Sequence, residues 1–293
     1  MTKKQLLERG MEVLFFLCAC VSIFAVALIC FFMFANGVPA IAKIGLFNFV
    51  GGTDWSPGNV PPSFGILPMI MGSLYVTAGA IIVGVPLGLL TAIFMSKFCP
   101  KKLYRFLKPP IDLLAGIPSI VYGFFGMVVL VPFIRYLTTE VFEAKGNGNS
   151  ILTASLLLGV MILPTIVSLS ETAISAVPDS YYEGAIALGA THERAVISVL
   201  VPAAKSGIMA SIILGIGRAI GETMAVIMVA GNQPRMPVGI FRGVRTLTAN
   251  IVLEMGYAAD LHREALIACG VVLFVFILLL NVSFSLLSNR RRK

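Results

Sequence analysis

Charged residues are scarce in this 293-residue chain, which is 12% charged and 58% hydrophobic. A soluble domain carries about 25% charged residues. The composition therefore excludes an ordinary water-soluble domain, because one aqueous core could not hide so much apolar surface. Lipid is the expected solvent. The 28 glycines agree with this, since glycine is commoner in membrane helices than in soluble ones.

Signatures of nucleotide chemistry are also missing. The chain contains no P-loop GxxxxGK[ST], which excludes an ATPase site of that kind. The glycine run at Gly215 and Gly217 departs from a dinucleotide fingerprint at Ile220, and no strand pattern precedes it. Gly217 and Gly221 form a GxxxG, which instead predicts close helix packing.

Metal and redox motifs are absent as well. The five cysteines form no CxxC pair and are predicted to be small apolar residues of membrane segments. His192 and His262 belong to no ligand motif and are predicted to be loop residues. With no acid–base or metal constellation, we expect a chain that is not an enzyme and binds no cofactor itself.

The net charge of +8 raises the question of nucleic-acid binding. The basic residues, however, gather in short clusters between apolar runs and near the ends of the chain, not along one face of a polar domain. This distribution excludes a nucleic-acid partner and favours loops beside anionic membrane lipid.

Long apolar runs predict an all-α integral membrane protein with about six transmembrane helices, since crossing a ~30 Å hydrocarbon core takes about 20 residues. The first run is longer than a secretory signal, so an uncleaved anchor is expected. The predicted spans are 13–35, 68–96, 113–134, 150–170, 206–230 and 265–287. We treat 13–287 as one membrane domain, between an N-terminal segment 1–12 and a basic tail 288–293.

Lysine and arginine are about twice as frequent in the loops and termini predicted to lie on the N-terminal side of the membrane as in the loops predicted on the opposite side. This bias predicts that both termini are cytoplasmic. The loop 231–263 is an exception, with four arginines on the predicted outer side. The long outer loop 36–67 is rich in glycine and proline and is predicted to be irregular.

The inner loop 171–205 has a helical pattern. Ser180 and Glu183 have the spacing of a capping box, Gly189 offers a break, and Pro202 is expected to end the segment. We predict a short helix, a turn and a second helix on the inner membrane face. Small residues on the first helix would let another protein approach its backbone, although a helix packed on lipid would show a similar pattern.

Arg218 and Glu222 are predicted to lie inside the fifth span. A charge at the centre of a membrane costs about 2.5–3.5 kcal/mol on insertion scales, so such residues are usually functional. At positions i and i+4 they share a helix face and are expected to pair. They are either part of a translocation pathway or a structural ion pair that fixes helix packing.

The segment from Glu183 to Gly189, followed by Val199-Leu200-Val201-Pro202, resembles the EAA loop of ABC importer permeases. Gly184 replaces the usual alanine and Ala185 matches. In that family this loop docks into a groove on the ATP-hydrolysing subunit. The resemblance thus implies a coupling role for Glu183, Gly184, Ala185, Gly189 and Pro202.

The resemblance extends over nearly the whole chain. The chain is similar to the permeases of phosphate importers, in particular the PstC type. The run Gly221–Val226 is the main reason for preferring PstC over its PstA partner. Other matching segments are Phe64–Pro68, Gly116–Gly126, Ile162–Thr165, Gly217–Thr223 and Val244–Ala249.

The resemblance implies an ABC importer permease fold in the cytoplasmic (inner) membrane of a bacterium. It also implies three kinds of protein partner: a second, PstA-like permease, two PstB-like ATPase subunits that use ATP, and an external phosphate-binding protein. Membrane lipid is a further partner, expected from the composition. The residues alone leave two alternatives open, a permease for molybdate or sulfate and an ion-coupled secondary transporter.

Overall fold

The computed structural model describes residues 3–141, 143 and 146–290. Residues 291–293 of the predicted basic tail and Lys145 of the predicted outer loops lie outside this range. Apart from one two-stranded hairpin, the regular elements of the described chain are helices. The elements are α1 (Lys3–Ile44), α2 (Leu46–Gly51), β1 (Trp55–Ser56), β2 (Ser63–Phe64), α3 (Leu67–Ile93), α4 (Lys101–Gly116), α5 (Ser119–Phe125), α6 (Val131–Tyr136), α7 (Ile151–Ser175), α8 (Asp179–Ala187), α9 (His192–Ala195), α10 (Val201–Ala203), α11 (Lys205–Gly221), α12 (Met224–Val229), α13 (Leu247–Glu254) and α14 (Asp260–Arg290). Four π-helical turns join or extend them, at Phe94–Phe98, Gly126–Leu130, Leu137–Val141 and Val196–Leu200.

Five helical stretches of the described chain are long and apolar enough to cross a membrane. They become six if two stretches bent by 69° at Ala204 count as one span. The five are Glu8–Ile44, Leu67–Phe98, Ser119–Val141, Ile151–Ser175 and Asp260–Ser283, and the bent pair is His192–Ala203 with Lys205–Gly221.

Helices α3 and α7 form the centre of the bundle. A Cβ atom added at Gly84 would lie 2.7 Å from Ile162, and one at Gly88 would lie 2.8 Å from Ile166. The glycines therefore let the two backbones approach as closely as small residues do in membrane helix pairs. Ser155 Oγ reinforces the contact by donating to the carbonyl oxygen of Val76 at 3.2 Å.

Helices α1 and α14 pack side by side and antiparallel. Lys43 Nζ contacts Glu264 Oε2 at 2.8 Å, and the Phe34 and Phe274 rings meet edge to face. Lys43 lies at the end of α1 while Glu264 lies at the start of α14. The opposite ends of these two helices, Lys3 and Arg290, are therefore on the same side of the bundle.

Three predicted boundaries differ from the structure. The helix begun in the first span continues to Ile44, so the first part of the predicted irregular loop is helical. The third span starts at Ser119, because Pro118 ends the preceding helix and begins the next one. The predicted continuous span 206–230 is two helices, since the backbone is extended at Glu222.

A buried polar cluster fixes the end of the bundle that carries β1 and β2, the hairpin end. Glu254 is buried and forms an ion pair with Arg245 Nη1. It also accepts a hydrogen bond of 2.9 Å from Trp55 Nε1. His262 Nε2 lies 2.9 Å from the same carboxylate. The cluster joins the hairpin, α13 and α14, and it accounts for one of the four arginines that the predicted outer loop 231–263 contains.

Glu254→Gln is expected to lower the free energy of unfolding by about 1–3 kcal/mol, because the substitution leaves the largely buried Arg245 without its counter-charge. The matched control is Glu264→Gln, whose ion pair with Lys43 is solvent-exposed and is worth about 1 kcal/mol or less. Thermal unfolding of the purified permease checks both. Equal loss in the two variants would contradict a special role for the buried cluster.

Candidate functional site: an exposed inner loop and a charged span

The segment between α7 and α11 folds as helix, turn and helix. Helix α8 begins after Pro178, whose fixed φ suits a helix start, and α8 has no side-chain cap. The predicted capping box of Ser180 and Glu183 is therefore wrong: both residues lie inside the helix. Gly189 has φ +85°, a left-handed conformation that glycine adopts at little cost. Thr191 then caps α9 by accepting from the Arg194 amide.

The turn of this loop is its most exposed part. Leu188 is 91% exposed, and Glu183, Gly184 and Gly189 are exposed as well. A Cβ atom added at Gly184 or Gly189 would meet no atom within 4 Å. Ala185 is half-buried beneath them. The candidate coupling residues thus form an open surface of small residues, beside which the apolar side chain of Leu188 protrudes. This arrangement is suited to insertion into a groove of a partner.

Pro202 is separated from that surface. It occupies the first turn of α10, a position that tolerates a missing N–H. The helical axis bends at Ala204, where α10 gives way to α11. Pro202 therefore belongs to the elbow between the loop and the next helix and not to the exposed turn with Gly189.

His192 holds this loop against the end of the second span. Its Nε2 lies 3.1 Å from the carbonyl oxygen of Lys97, and its Nδ1 lies 2.9 Å from the Tyr182 hydroxyl. Because a carbonyl only accepts, Nε2 donates and Nδ1 of the neutral ring accepts from Tyr182. The Phe98 ring packs edge-on against the imidazole. The loop prediction for His192 missed this role, since its partner segment lies 95 residues away and leaves no local pattern.

Arg218 and Glu222 do not form the predicted ion pair; the described ion pairs do not include them. Arg218 Nη1 lies 3.4 Å from Thr165 Oγ1, which is a weak contact. Glu222 Oε1 accepts from the Ala225 amide at 3.2 Å. The pairing prediction assumed a continuous helix, but the helix ends at Gly221 and the extended backbone at Glu222 turns its side chain toward α12.

Arg218 lies on an open face of α11. Gly217 and Gly221 would each have free space around an added Cβ, and Leu214 is 58% exposed. The GxxxG predicted to pack closely thus meets no other helix in the described part of this chain. The result is a helix face that carries one guanidinium and makes few close contacts.

A cavity of about 410 Å³ adjoins Arg218. Two neutral polar side chains, Thr165 of α7 and Asn281 of α14, share it with the guanidinium. Sequence reasoning missed Asn281, although an asparagine in the predicted last span was a detectable exception to its apolar surroundings. The cavity offers a cation, a hydroxyl and an amide, a donor set that suits an oxyanion.

Among the described residues, no group of three or more His, Cys, Asp and Glu could hold a metal ion. His262, predicted to be a loop residue, lies in the first turn of α14 and contacts Glu254.

Comparison with known proteins agrees with this fold. Residues 84–293 match the family described as "Binding-protein-dependent transport system inner membrane component". A probable ABC transporter permease protein YqgH of Bacillus subtilis is 40% identical over 94% of this chain and 89% of its own length. The phosphate transport system permease protein PstC of Mesorhizobium japonicum is 36% identical over 85% of this chain and 80% of its own.

Solved structures share the fold at low sequence identity. A chain of the MetNI methionine ABC transporter in an inward-facing conformation superposes with a TM-score of 0.60 at 20% identity, over 77% of this chain and 95% of that one. A chain of a bacterial alginate ABC transporter superposes with a TM-score of 0.67 at 14% identity, over 98% of this chain and 97% of that one.

The helical bundle is that of the membrane subunit of an ABC importer, and the chain belongs to the binding-protein-dependent transport system inner membrane component family. Within that family it is a permease of the PstC type. It is a multi-pass inner-membrane protein, and it works with a separate ATPase and a substrate-binding protein.

Proposed function

We propose that this chain imports inorganic phosphate as one half of a heterodimeric permease. Its partners are a PstA-like permease, two PstB-like ATPases and an external phosphate-binding protein. The observation that carries the proposal is Arg218, a guanidinium on an open helix face beside a cavity with two neutral donors. The names of the PstC relatives support phosphate as the cargo.

In this mechanism the chain performs no bond chemistry. The binding protein delivers the anion to the outer face, and ATP binding and hydrolysis in the partner subunits drive alternation between outward and inward states. Arg218 attracts phosphate oxygens through two N–H groups of its planar fork. Thr165 and Asn281 can donate further hydrogen bonds, which replace part of the hydration that phosphate loses in the membrane.

The loop around Gly189 transmits the motion. Helix α8 and Leu188 insert into the ATPase, and Pro202 and the bend at Ala204 connect the loop to α11. Arg218 stands on that same helix, so a displacement of the loop moves the guanidinium relative to α7 and α14. An ion-coupled transporter, the rival hypothesis, would need no ATPase-docking loop and so would not account for this connection.

Uptake of radiolabelled phosphate in cells with and without this chain tests the cargo. We expect uptake to depend on the chain and to persist in the presence of excess molybdate or sulfate. Competition by either oxyanion at equal concentration would identify a different cargo within the same class of importer.

The proposed orientation places both termini in the cytoplasm and the hairpin outside. With Cys99, the cysteine outside the candidate spans, changed to serine, Asn59→Cys is expected to react with a membrane-impermeant maleimide added to intact cells. Ser180→Cys is expected to react only after the membrane is permeabilised. Both positions are exposed in the structure, so accessibility within the chain does not differ between them. Labelling of Ser180→Cys in intact cells would reverse the assignment.

A further inference from the structure

Helix α4 (Lys101–Gly116) is an element that neither the sequence analysis nor the proposed mechanism uses. The predicted spans leave 97–112 as a basic connection, but the structure makes Lys101–Gly116 a regular helix between the second and third candidate spans. None of its side chains is fully buried. Its exposed surface therefore needs an explanation of its own.

One side of α4 is fixed to α7 by a polar cluster. Lys108 Nζ lies 2.8 Å from Glu171 Oε2, and the Tyr104 hydroxyl donates to Glu171 Oε1 at 2.7 Å. Lys108 also contacts Asp112 at 3.4 Å and Ser168 at 3.3 Å. Glu171 is buried, so the cluster is not a loose surface contact. It sets the rotation of α4 about its own axis.

The charges in this cluster are consistent with a persistent ion pair. Burial lowers the pKa of Lys108, but its hydrogen bond to Glu171 and the attraction of Glu171 and Asp112 outweigh burial, so the pKa of Lys108 is raised. The hydrogen bond to Glu171 raises the pKa of Tyr104, which keeps its hydroxyl a donor. Lys108 therefore keeps its charge, and Tyr104 its proton, at neutral pH.

With that rotation fixed, the exposed side chains of α4 form an apolar strip and a basic strip, and the basic strip extends to the groove in which Lys108 meets Glu171. The apolar strip carries Phe106 (73% exposed), Leu113 (71%) and Leu103 (40%). The basic strip carries Lys101, Lys102 and Arg105, all exposed. In the part of the chain that the structure describes, none of these three cations has a carboxylate within ion-pair distance.

We propose that α4 lies in the plane of the membrane interface and binds anionic lipid. Phe106, Leu113 and Leu103 insert among the acyl chains, and the basic strip contacts lipid phosphates. An apolar strip bordered by lysine and arginine is the pattern of an interfacial helix, and anionic lipid attracts such cations. The assignment to the inner leaflet rests on the proposed orientation, but lipid contact itself does not.

A lipid surface fits this helix better than a second permease does. The buried core of a protein interface is depleted of charged residues, whereas here three exposed cations, without an ion-pair partner among the described residues, share the helix with the exposed aromatic ring of Phe106. A bilayer interface satisfies both strips at once, since headgroups and acyl chains lie side by side there. Protein coverage of the apolar strip is nevertheless a distinct outcome of the following experiment.

The test uses the assembled transporter with Phe106→Trp, reconstituted in phosphatidylcholine that contains brominated lipid in both leaflets. We expect the added tryptophan fluorescence, measured against the unaltered complex, to be quenched. Val60→Trp is the control, because Val60 is 99% exposed in the hairpin and should escape bromine. An unquenched Phe106→Trp would show that protein covers the strip and would overturn the proposal.

The headgroup preference is tested with brominated phosphatidylglycerol against brominated phosphatidylcholine at equal mole fraction. We expect at least about twofold stronger quenching by the anionic lipid. Changing the basic strip to glutamine should abolish this preference. The matched control removes three exposed arginines at the hairpin end instead and should retain it: Arg235→Gln, Arg242→Gln and Arg263→Gln.

Equal quenching by the two lipids, or a preference that survives loss of the basic strip, would overturn the anionic-lipid assignment. Neither readout requires phosphate transport, and bromine in both leaflets removes any dependence on orientation. Failure of this proposal is therefore distinguishable from failure of the proposed import function, which the uptake assay reports separately.

Discussion

Arg218→Leu is expected to lower phosphate uptake about 10- to 150-fold, the factor that corresponds to losing hydrogen bonds between charged partners. The variant should still insert, because the substitution removes a charge whose placement in a membrane costs about 2.5–3.5 kcal/mol. It should still assemble, since the side chain makes only a long contact to Thr165. Uptake of labelled phosphate, beside a blot for the assembled complex, measures both.

Arg218→Lys separates charge from geometry. Lysine keeps the positive charge but lacks the planar fork, so we expect uptake to remain low. Arg242→Leu is the matched control: it removes an exposed arginine outside the candidate spans and should leave uptake unchanged. Near-normal transport by Arg218→Lys would mean that the pathway needs only a positive potential.

The double variant Arg218→Leu with Glu222→Leu addresses the structural-pair alternative. A buried ion pair replaced on both sides is often tolerated, because no unpaired charge remains. The structure contains no such pair, and Glu222 instead accepts from the Ala225 amide. We therefore expect the double variant to assemble and stay inactive. An assembled double variant that transports normally would refute the pathway role of Arg218.

How far the sequence determined this site depends on the residue. Arg218 was identifiable because a charge in an apolar run is costly whatever the local geometry. Its relation to Glu222 was not, because the i, i+4 rule applies only to a continuous helix and the residues around Gly221 are apolar enough to continue one. After the break, α12 packs against α5 and α7, and these long-range contacts leave no local pattern in the sequence.

Helix α4 was not predicted from the sequence, for a different reason. Leu103, Phe106 and Leu107 have helical spacing, but segment 97–112 lies between two predicted spans and carries five basic residues, and is therefore predicted as a loop. The helix also contains Pro109 and Pro110. The prolines are tolerated here because tertiary contacts hold the helix: Lys108, just before them, is fixed by Glu171 of α7. The helix-breaking tendency of the prolines is thus overcome by a buried contact between residues 63 positions apart.

The inner loop was more predictable because its key residue has a local conformational requirement. A left-handed turn between two short helices needs glycine, and Gly189 stood at the corresponding spacing. The capping box failed because Pro178 already starts α8, so Ser180 falls inside the helix. The contacts of His192 with Lys97 and Tyr182 could not be predicted from the sequence, since they join separate segments through a side chain.

Gly189→Val is expected to abolish transport and weaken copurification of the ATPase while the chain inserts normally. The left-handed conformation at φ +85° costs a residue with a Cβ about 1–2 kcal/mol, and a β-branched residue tolerates it least. The turn is expected to shift and move Leu188 away from its docking position. Phosphate uptake and ATPase copurification at matched expression measure the effect.

Two companion variants isolate backbone conformation from bulk. Gly189→Asn adds a larger side chain, but asparagine visits the left-handed region readily, so we expect it to retain much of the transport. Gly184→Val adds the same bulk as Gly189→Val at an exposed helical glycine with free space around it and no positive φ. If Gly184→Val fails while Gly189→Val transports normally, the contact surface of α8 and not the shape of the turn governs coupling. If Gly189→Val fails and Gly189→Asn transports, the left-handed turn itself is the element that holds the loop in its docking conformation.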